Sequence, residues 1–320
     1  MPDGSDAPLL LIRAVPEDTA ARPIGGVFWE SPDIFLLPGV APQDAPDIPG
    51  DLGGGIVRAG ADNTAYAQVW NLGRAPVAGA TVEFYWFNPT LLFSDAAAHL
   101  IGRTIIGLEG SLESRSRKIV KCPVAWRPQF INGGHECLVV RISHPIGDPL
   151  GQPPWNASQN RHVGQRNIHV FTAAENPGGA RLDIEVGPLL GLAIQVSVSR
   201  APVDTAPWLE LIAGNGGREP LGTGVADGEI SISPPMPVGS CLPEVRSLTG
   251  PRPAGPVASR QEVVGDNQQV AFITTDTDPG HGKANLYRII ASRNGEILGG
   301  YSVVILGSCG IPGKALQTDR

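Results

Sequence analysis

Catalysis or binding in this chain would have to come from a few clusters of polar and titratable side chains, the densest being Pro154–His169. It carries Trp155, Asn160, Arg161, His162, Gln165, Arg166 and Asn167. An indole set among amides and guanidinium groups can dock a sugar ring or a peptide terminus. The same side chains serve equally well to cap loop backbone, whose buried polar groups must be paired. The structural reading is the stronger one, and a ligand site in the first half belongs in this stretch. Asn156-Ala-Ser158 matches a glycosylation sequon, a tripeptide short enough to recur by chance.

The other clusters are thinner. In Gly133-Gly-His-Glu-Cys137, His135 and Cys137 are two apart on a strand and share a face. A histidine beside a thiol can activate it as a nucleophile, but no Gly-rich elbow or oxyanion element accompanies the pair. The simpler reading is a strand start with a core cysteine. His135, His144, His162 and His169 would bind metal only if three or four ligands converged. Asp276 and Asp278, in Asp-Thr-Asp-Pro-Gly-His-Gly, supply too few oxygens for calcium and read as a polar turn. Cys122, Cys137, Cys241 and Cys309 are even in number and permit one disulfide in each half, with buried free thiols as the alternative. Phosphate-loop, G-x-S-x-G and H-E-x-x-H motifs do not occur, so no metal, cofactor or catalytic residue is assigned. An enzyme with dispersed residues would need a deep pocket with convergent polar groups.

The elements that must position these residues are strands. Among 320 residues there are 41 Gly and 31 Pro, which punctuate turns and break helices. Only 17% are charged against 42% apolar, with a net charge of −7. The charge is spread along the chain, which argues against nucleic-acid binding. Leu9–Ile12 and Leu189–Ile194 are far too short to insert in a membrane. The N-terminus is acidic where a signal peptide would be basic. The expectation is therefore cytoplasmic synthesis, with incorporation into a particle or export by a non-classical route.

Period-2 alternation marks the strands. In Asn63–Asn71, Tyr66 and Trp70 share one face and Ala65, Ala67 and Val69 the other. Ala80–Trp86 places Val82, Phe84 and Trp86 together. Further strands are expected at Ser31–Leu37, Leu100–Ile106, Ser116–Trp126, Glu136–Ile142 and Arg166–Phe171, and in the second half at Leu182–Val186, Ile194–Val198, Gly228–Ser233 and Val270–Thr274. A final hairpin, Leu286–Ser292 with Ile297–Ile305, turns at Asn294-Gly295, where both residues tolerate positive φ. The predicted fold is all-β, with two tandem immunoglobulin-like antiparallel β-sandwiches at 31–174 and 180–308. Residues 1–30 form an N-terminal arm whose apolar run can add an edge strand or dock on a neighbouring subunit, and 309–320 form a C-terminal tail.

The phrase Gly60-x-x-Asn63-Thr64-x-Tyr66-x-x-Val69-x-Asn71-x-Gly73, followed by Val82-x-Phe84-Tyr85-Trp86, resembles the bacterial cell-adhesion-related immunoglobulin-like domains called CARDB. The resemblance covers roughly residues 30–145, interrupted by an insert at Leu91–Ser114. It implies a sandwich used as a binding or accessory module, with no catalytic residues. The expected function is a non-catalytic structural or assembly subunit, packing with itself or an assembly partner into an oligomer or a phage-like or injection-type particle. The alternative is a carbohydrate- or protein-binding adhesion module, which exposed Trp or Tyr at loop tips would support; Trp29, Trp155 and Trp208 lie in loop-like surroundings.

Overall fold

The computed structural model describes residues 6–49, 60–110, 116–128, 137–172, 179–187, 193–209, 221–224, 228–238, 257–264, 268–276 and 278–307. The regular structure is almost all strand. The first half supplies β1 (Leu10–Leu11), β2 (Ile34–Leu37), β3 (Thr64–Asn71), β4 (Val77–Phe87), β5 (His99–Leu108), β6 (Ser116–Lys121), β7 (Cys137–Ser143) and β8 (Val163–Arg166). One antiparallel sheet orders β1-β3-β2 with β6 on β3, and the other orders β5-β4-β7-β8. Between them lies a core containing Ile34, Ala65, Ala67, Val69, Val82, Phe84, Val140 and Ile142.

Alternation explains β3, with a further feature. Its alanines and Val69 face this core. Tyr66 and Trp70, on the opposite face, are buried as well, under Phe35, Ala45 and the Asp33–Arg13 pair. The Tyr66 hydroxyl donates to the Pro46 carbonyl (2.7 Å), and Trp70 Nε1 to Asp33 Oδ2 (2.8 Å). The motif residue Asn71 is a bracket. Its Oδ1 accepts from the Leu9 and Gly73 amides, and its Nδ2 donates to the carbonyls of Ala75 and Glu109. A Cβ on Gly73 would lie 2.2 Å from the Ala7 carbonyl oxygen, so glycine is required for the arm to pass.

That arm is held within its own chain. β1 pairs with β3, and Leu10, Leu11 and Ile12 are buried. The apolar run at Leu9–Ile12 thus completes the first sandwich and is not left free for a neighbouring subunit.

The second half supplies β9 (Ile168–Thr172), β10 (Ala180–Glu185), β11 (Ala193–Ala201), β12 (Gly222–Thr223), β13 (Ile230–Ile232), β14 (Met236–Pro237), β15 (Val257–Val264), β16 (Gln268–Thr274), β17 (Lys283–Arg293) and β18 (Glu296–Leu306). One sheet orders β10-β16-β13 with β14 on β16. The other orders β15-β11-β17-β18-β9 with β12 on β17. Leu182, Ile184, Val196, Val198, Phe272, Ile289 and Val303 alternate into the shared core. Asn294 and Gly295 take φ of 51° and 85°, giving the hairpin expected at the β17–β18 turn.

The strand expected at 166–171 is divided, and this shapes the molecule. β8 ends at Arg166 on β7, while β9 begins at Ile168 and runs parallel to β18. Asn167 makes the crossing. Its amide donates to the Trp29 carbonyl (3.0 Å), its carbonyl accepts from Ser302 (2.9 Å), and its Nδ2 donates to the Gly300 carbonyl (3.1 Å). A strand placed with the first sandwich by sequence therefore belongs to the second sheet. The halves also share one hydrophobic cluster, in which Phe28, Trp29, Phe87, Cys137, Val139 and Trp155 join the second-half strands.

Of the two readings left open for the first-half cysteines, disulfide or buried free thiols, the structure has the second: Cys122 and Cys137 are free and buried. Cys122 lies in the first core and Cys137 in the cluster on the far side of the β5-β4-β7-β8 sheet, so the sheet separates the thiols. Cys241 and Cys309 lie outside the described residues.

The outer face of β17 and β18 carries the joint. Glu30 accepts from Arg288 Nε (3.0 Å) and Nη2 (3.1 Å), from Trp208 Nε1 (2.7 Å) and from the Ser302 hydroxyl. Trp29 Nε1 donates to Ser302 Oγ (3.0 Å), and a Cβ on Gly300 would meet the Trp29 ring at 2.3 Å. Glu30→Ala leaves a buried guanidinium and an indole N–H without their acceptor, and is expected to cost about 3–5 kcal/mol. Urea denaturation followed by circular dichroism measures this; a change within error would show that the joint is not stabilising.

Candidate functional site

The loop between β7 and β8 is built around Asp148 and Asn160. Asp148 Oδ2 accepts from the Leu10 amide (2.6 Å), and Oδ1 accepts from Arg161 and lies 3.1 Å from His162 Nε2. Burial alone would raise this carboxyl. The bond from His162, the Leu10 amide and the nearby positive charges outweigh burial and hold it below the usual aspartate value. Asn160 Nδ2 donates to the carbonyls of Gly151 (2.6 Å) and Pro153 (3.0 Å), and its Oδ1 accepts from the His162 amide (3.0 Å). Gln165 Nε2 donates to the Trp155 carbonyl (3.2 Å) and its Oε1 accepts from the Ala157 amide (3.4 Å). The Ser158 hydroxyl of the sequon is buried and donates to the Ile24 carbonyl (2.6 Å).

Nearly every side chain of the polar stretch thus ties backbone. The exposed loop-tip tryptophans that would support a carbohydrate-binding module are not found: Trp29, Trp155 and Trp208 are 0%, 6% and 5% exposed. Each indole N–H has an acceptor in the interior: Ser302 Oγ, Asp95 Oδ1 and Glu30 Oε2 respectively. Trp155 is further fixed by edge contacts with Tyr85 and Phe87 and by the Arg141 guanidinium, 4.1 Å from its ring centroid. Such burial leaves these rings no open face for a sugar.

The remaining candidates disperse. His135 lies outside the described residues. His144 Nδ1 accepts from the Gly147 amide (2.8 Å), His162 faces Asp148, and His169 is buried on β9. Among the described residues no three His, Cys, Asp or Glu side chains converge as metal ligands. Asp276 is buried against Arg200 (2.8 Å) and the Tyr287 hydroxyl, while Asp278 accepts from the Gly280 amide. The Cys122 thiol is pushed up to about 11 by burial, so it is not a thiolate at neutral pH.

Among the described residues every buried carboxylate is spoken for by an arginine: Asp18 by Arg22, Glu30 by Arg288, Asp33 by Arg13, Asp148 by Arg161 and Asp276 by Arg200. In each pair the guanidinium favours the charged form of the carboxylate.

Two clefts border the stretch. A cavity of about 220 Å³ is lined by Trp155, Gln165, Pro153, Pro154, Phe93 and Leu298. A second, of about 350 Å³, is lined by Glu30, Phe35, Arg166, Trp208 and Arg288, with Val15 and Pro16 of the arm. Of this cleft's residues the sequence marks Arg166 and Trp208 but does not connect them, because the lining comes from five separate segments with no local spacing to betray it.

No family profile and no curated protein matches the sequence. Solved structures with detectable similarity include a β-glucosidase from Chaetomella raphigera, at 15% identity and TM-score 0.20, covering 42% of this chain and 17% of that chain. CBD12 from CALX1.2 is matched at 9% identity and TM-score 0.19, over 73% of this chain and 76% of that one. An adhesin from Mobiluncus mulieris is matched at 6% identity and TM-score 0.20, over 76% and 88%.

Two outcomes are expected. Because the Asp148 carboxyl is depressed, its stabilisation is full above the ordinary aspartate value of about 3.9 and is lost as pH falls through the native value. Asp148→Asn should therefore cost about 1–3 kcal/mol at neutral pH and much less in acid. Urea midpoints measured at both pH values test this; an equal cost at both would refute it. Iodoacetamide at mildly alkaline pH should leave Cys122 and Cys137 unmodified in the native protein and modify both in urea, read by peptide mass spectrometry. Fast native labelling would show that the thiols are accessible.

Proposed function

We propose that this protein is a non-catalytic assembly module that pairs with a second copy through the edge strand β5. The observation that carries the reading is the character of that edge. β5 is ten residues long, and among the described strands it pairs only with β4. Natural sheet edges are usually kept short or guarded by charge, proline or a cover. Here Leu100 and Ile105 are 53% and 70% exposed, and Arg103 is the strand's one residue of fixed charge.

Local geometry puts these side chains outside. Val82 and Phe84 face the core, so their partners Thr104 and Gly102 do too, while Thr81, Glu83 and Tyr85 oppose Ile105, Arg103 and Leu100 on the outer face. A bulge opposite Phe84 and Tyr85 turns both Ile101 and Gly102 inward. Addition of a strand to this edge would satisfy its backbone and cover both apolar side chains. A second copy meets those needs symmetrically, as in isologous dimers. The pairing of every buried carboxylate with arginine supports a scaffold, and the burial of the three tryptophans speaks against a sugar-stacking surface.

Light scattering across a wide concentration range should give a mass above that of one chain. Ile105→Lys should shift the protein toward monomer while leaving its denaturation midpoint unchanged. A monomer at all concentrations would overturn the proposal, as would an oligomer that survives both Ile105→Lys and Leu100→Lys.

A further inference from the structure

Arg166 breaks the pattern of the other buried charges. It is 6% exposed, and no carboxylate lies within ion-pair distance among the described residues. Its guanidinium makes one hydrogen bond, Nη1 to the Ile34 carbonyl (3.2 Å), and sits 5.8 Å from the Trp208 ring centroid. Glu30, its backbone bridge partner, is committed to Arg288, Trp208 and Ser302. Burial lowers the Arg166 value to about 10, which leaves it charged at neutral pH. A guanidinium carries five N–H donors in a planar fork, and the Arg166 nitrogens not bonded to Ile34 are not sealed in the interior, because the side chain lines an open cleft.

This side chain lines the cavity of about 350 Å³ between the arm and the joint. The volume lies at the low end of the ~300–1,000 Å³ typical of small-ligand sites. Apart from the charged groups and Thr205 the walls are apolar, with Val15, Pro16, Val27, Pro32, Phe35 and Trp208 among them. We propose that this cleft binds a monoanionic carboxylate borne on an apolar body, with the carboxylate on the fork of Arg166 and the body against Phe35 and Trp208. A carboxylate matches the planar fork in bidentate geometry. A single negative charge balances Arg166, since Arg288 and Glu30 already neutralise each other, whereas a dianion would meet the Glu30 carboxylate uncompensated. The site is independent of β5, so it stands whether or not the protein assembles.

Two sources share this chemistry, a free aryl or alkyl acid and the C-terminus of a peptide. Benzoate stands for the first and N-acetylphenylalanine for the second. Benzamide and N-acetylphenylalaninamide are their neutral counterparts. Titration of the full chain, followed by tryptophan fluorescence and by amide chemical shifts, should show saturable binding of at least one acid and none of its amide. The tighter acid identifies the source. Arg166→Gln should weaken binding by ~10- to 100-fold, the loss expected for hydrogen bonds to a charged group.

If that variant does not fold, two exposed rim positions decide. Pro207→Asp places a repelling carboxylate at the mouth and should weaken binding, whereas Glu17→Lys should tighten it. The proposal is overturned if neither acid saturates, if acid and amide bind equally, or if both rim variants leave the affinity of wild type unchanged.

Discussion

The fold depends on a carboxylate that has left water. Glu30 sits on the outer face of the β17–β18 ladder and accepts from a guanidinium, an indole and a hydroxyl contributed by three separate segments. Taking such a charge out of water is costly, and the cost is offset only when all its partners are in place. This makes the joint conditional on the whole structure. The arm must cross the first sandwich to deliver Trp29 and Glu30. The chain must leave β7 at Asn167 to bring β9 to β18. The segment 203–209 must fold back to present Trp208. Gly300 must lack a side chain for the Trp29 ring to lie against the strand.

The same logic recurs wherever an acid is buried. Asp33 collects donors from Arg13, Gln68 and Trp70, and so fastens the arm to the outer face of β3. Burial still keeps its carboxyl above the usual range, with the arginine and indole bonds pulling the other way. Asp276 holds Arg200 and Tyr287 across the second core, and the Tyr287 hydroxyl is raised by burial and by that carboxylate. A protein with few charges uses many of them as internal fasteners. Against that background a buried arginine without a carboxylate is informative, because the rule it departs from is otherwise kept throughout the described residues.

How far the candidate site could be read in advance varies residue by residue. Asn160, His162, Gln165 and Asn167 are recognisable in the sequence as polar side chains near loop backbone, and they do cap it. The burial of Trp155 is not legible in its sequence environment, which is polar and rich in proline: its ring lies under Arg141 and against Tyr85 and Phe87. Nothing local encodes those contacts, two of which join residues some seventy positions apart.

Sequence by itself determined the strands, their facing and the final hairpin, because alternation and turn chemistry act between neighbours in the chain. The inward rows of β3 and β4 and the Asn294-Gly295 turn are of this kind. Tertiary structure alone decided that Tyr66 and Trp70 would be covered, that Cys122 and Cys137 would face opposite sides of one sheet, and that the strand after Arg166 would join the second half. It also decided which arginine would be left without a carboxylate. A charged pair forms between groups brought together by packing, and the free energy of burying either one depends on the other being there.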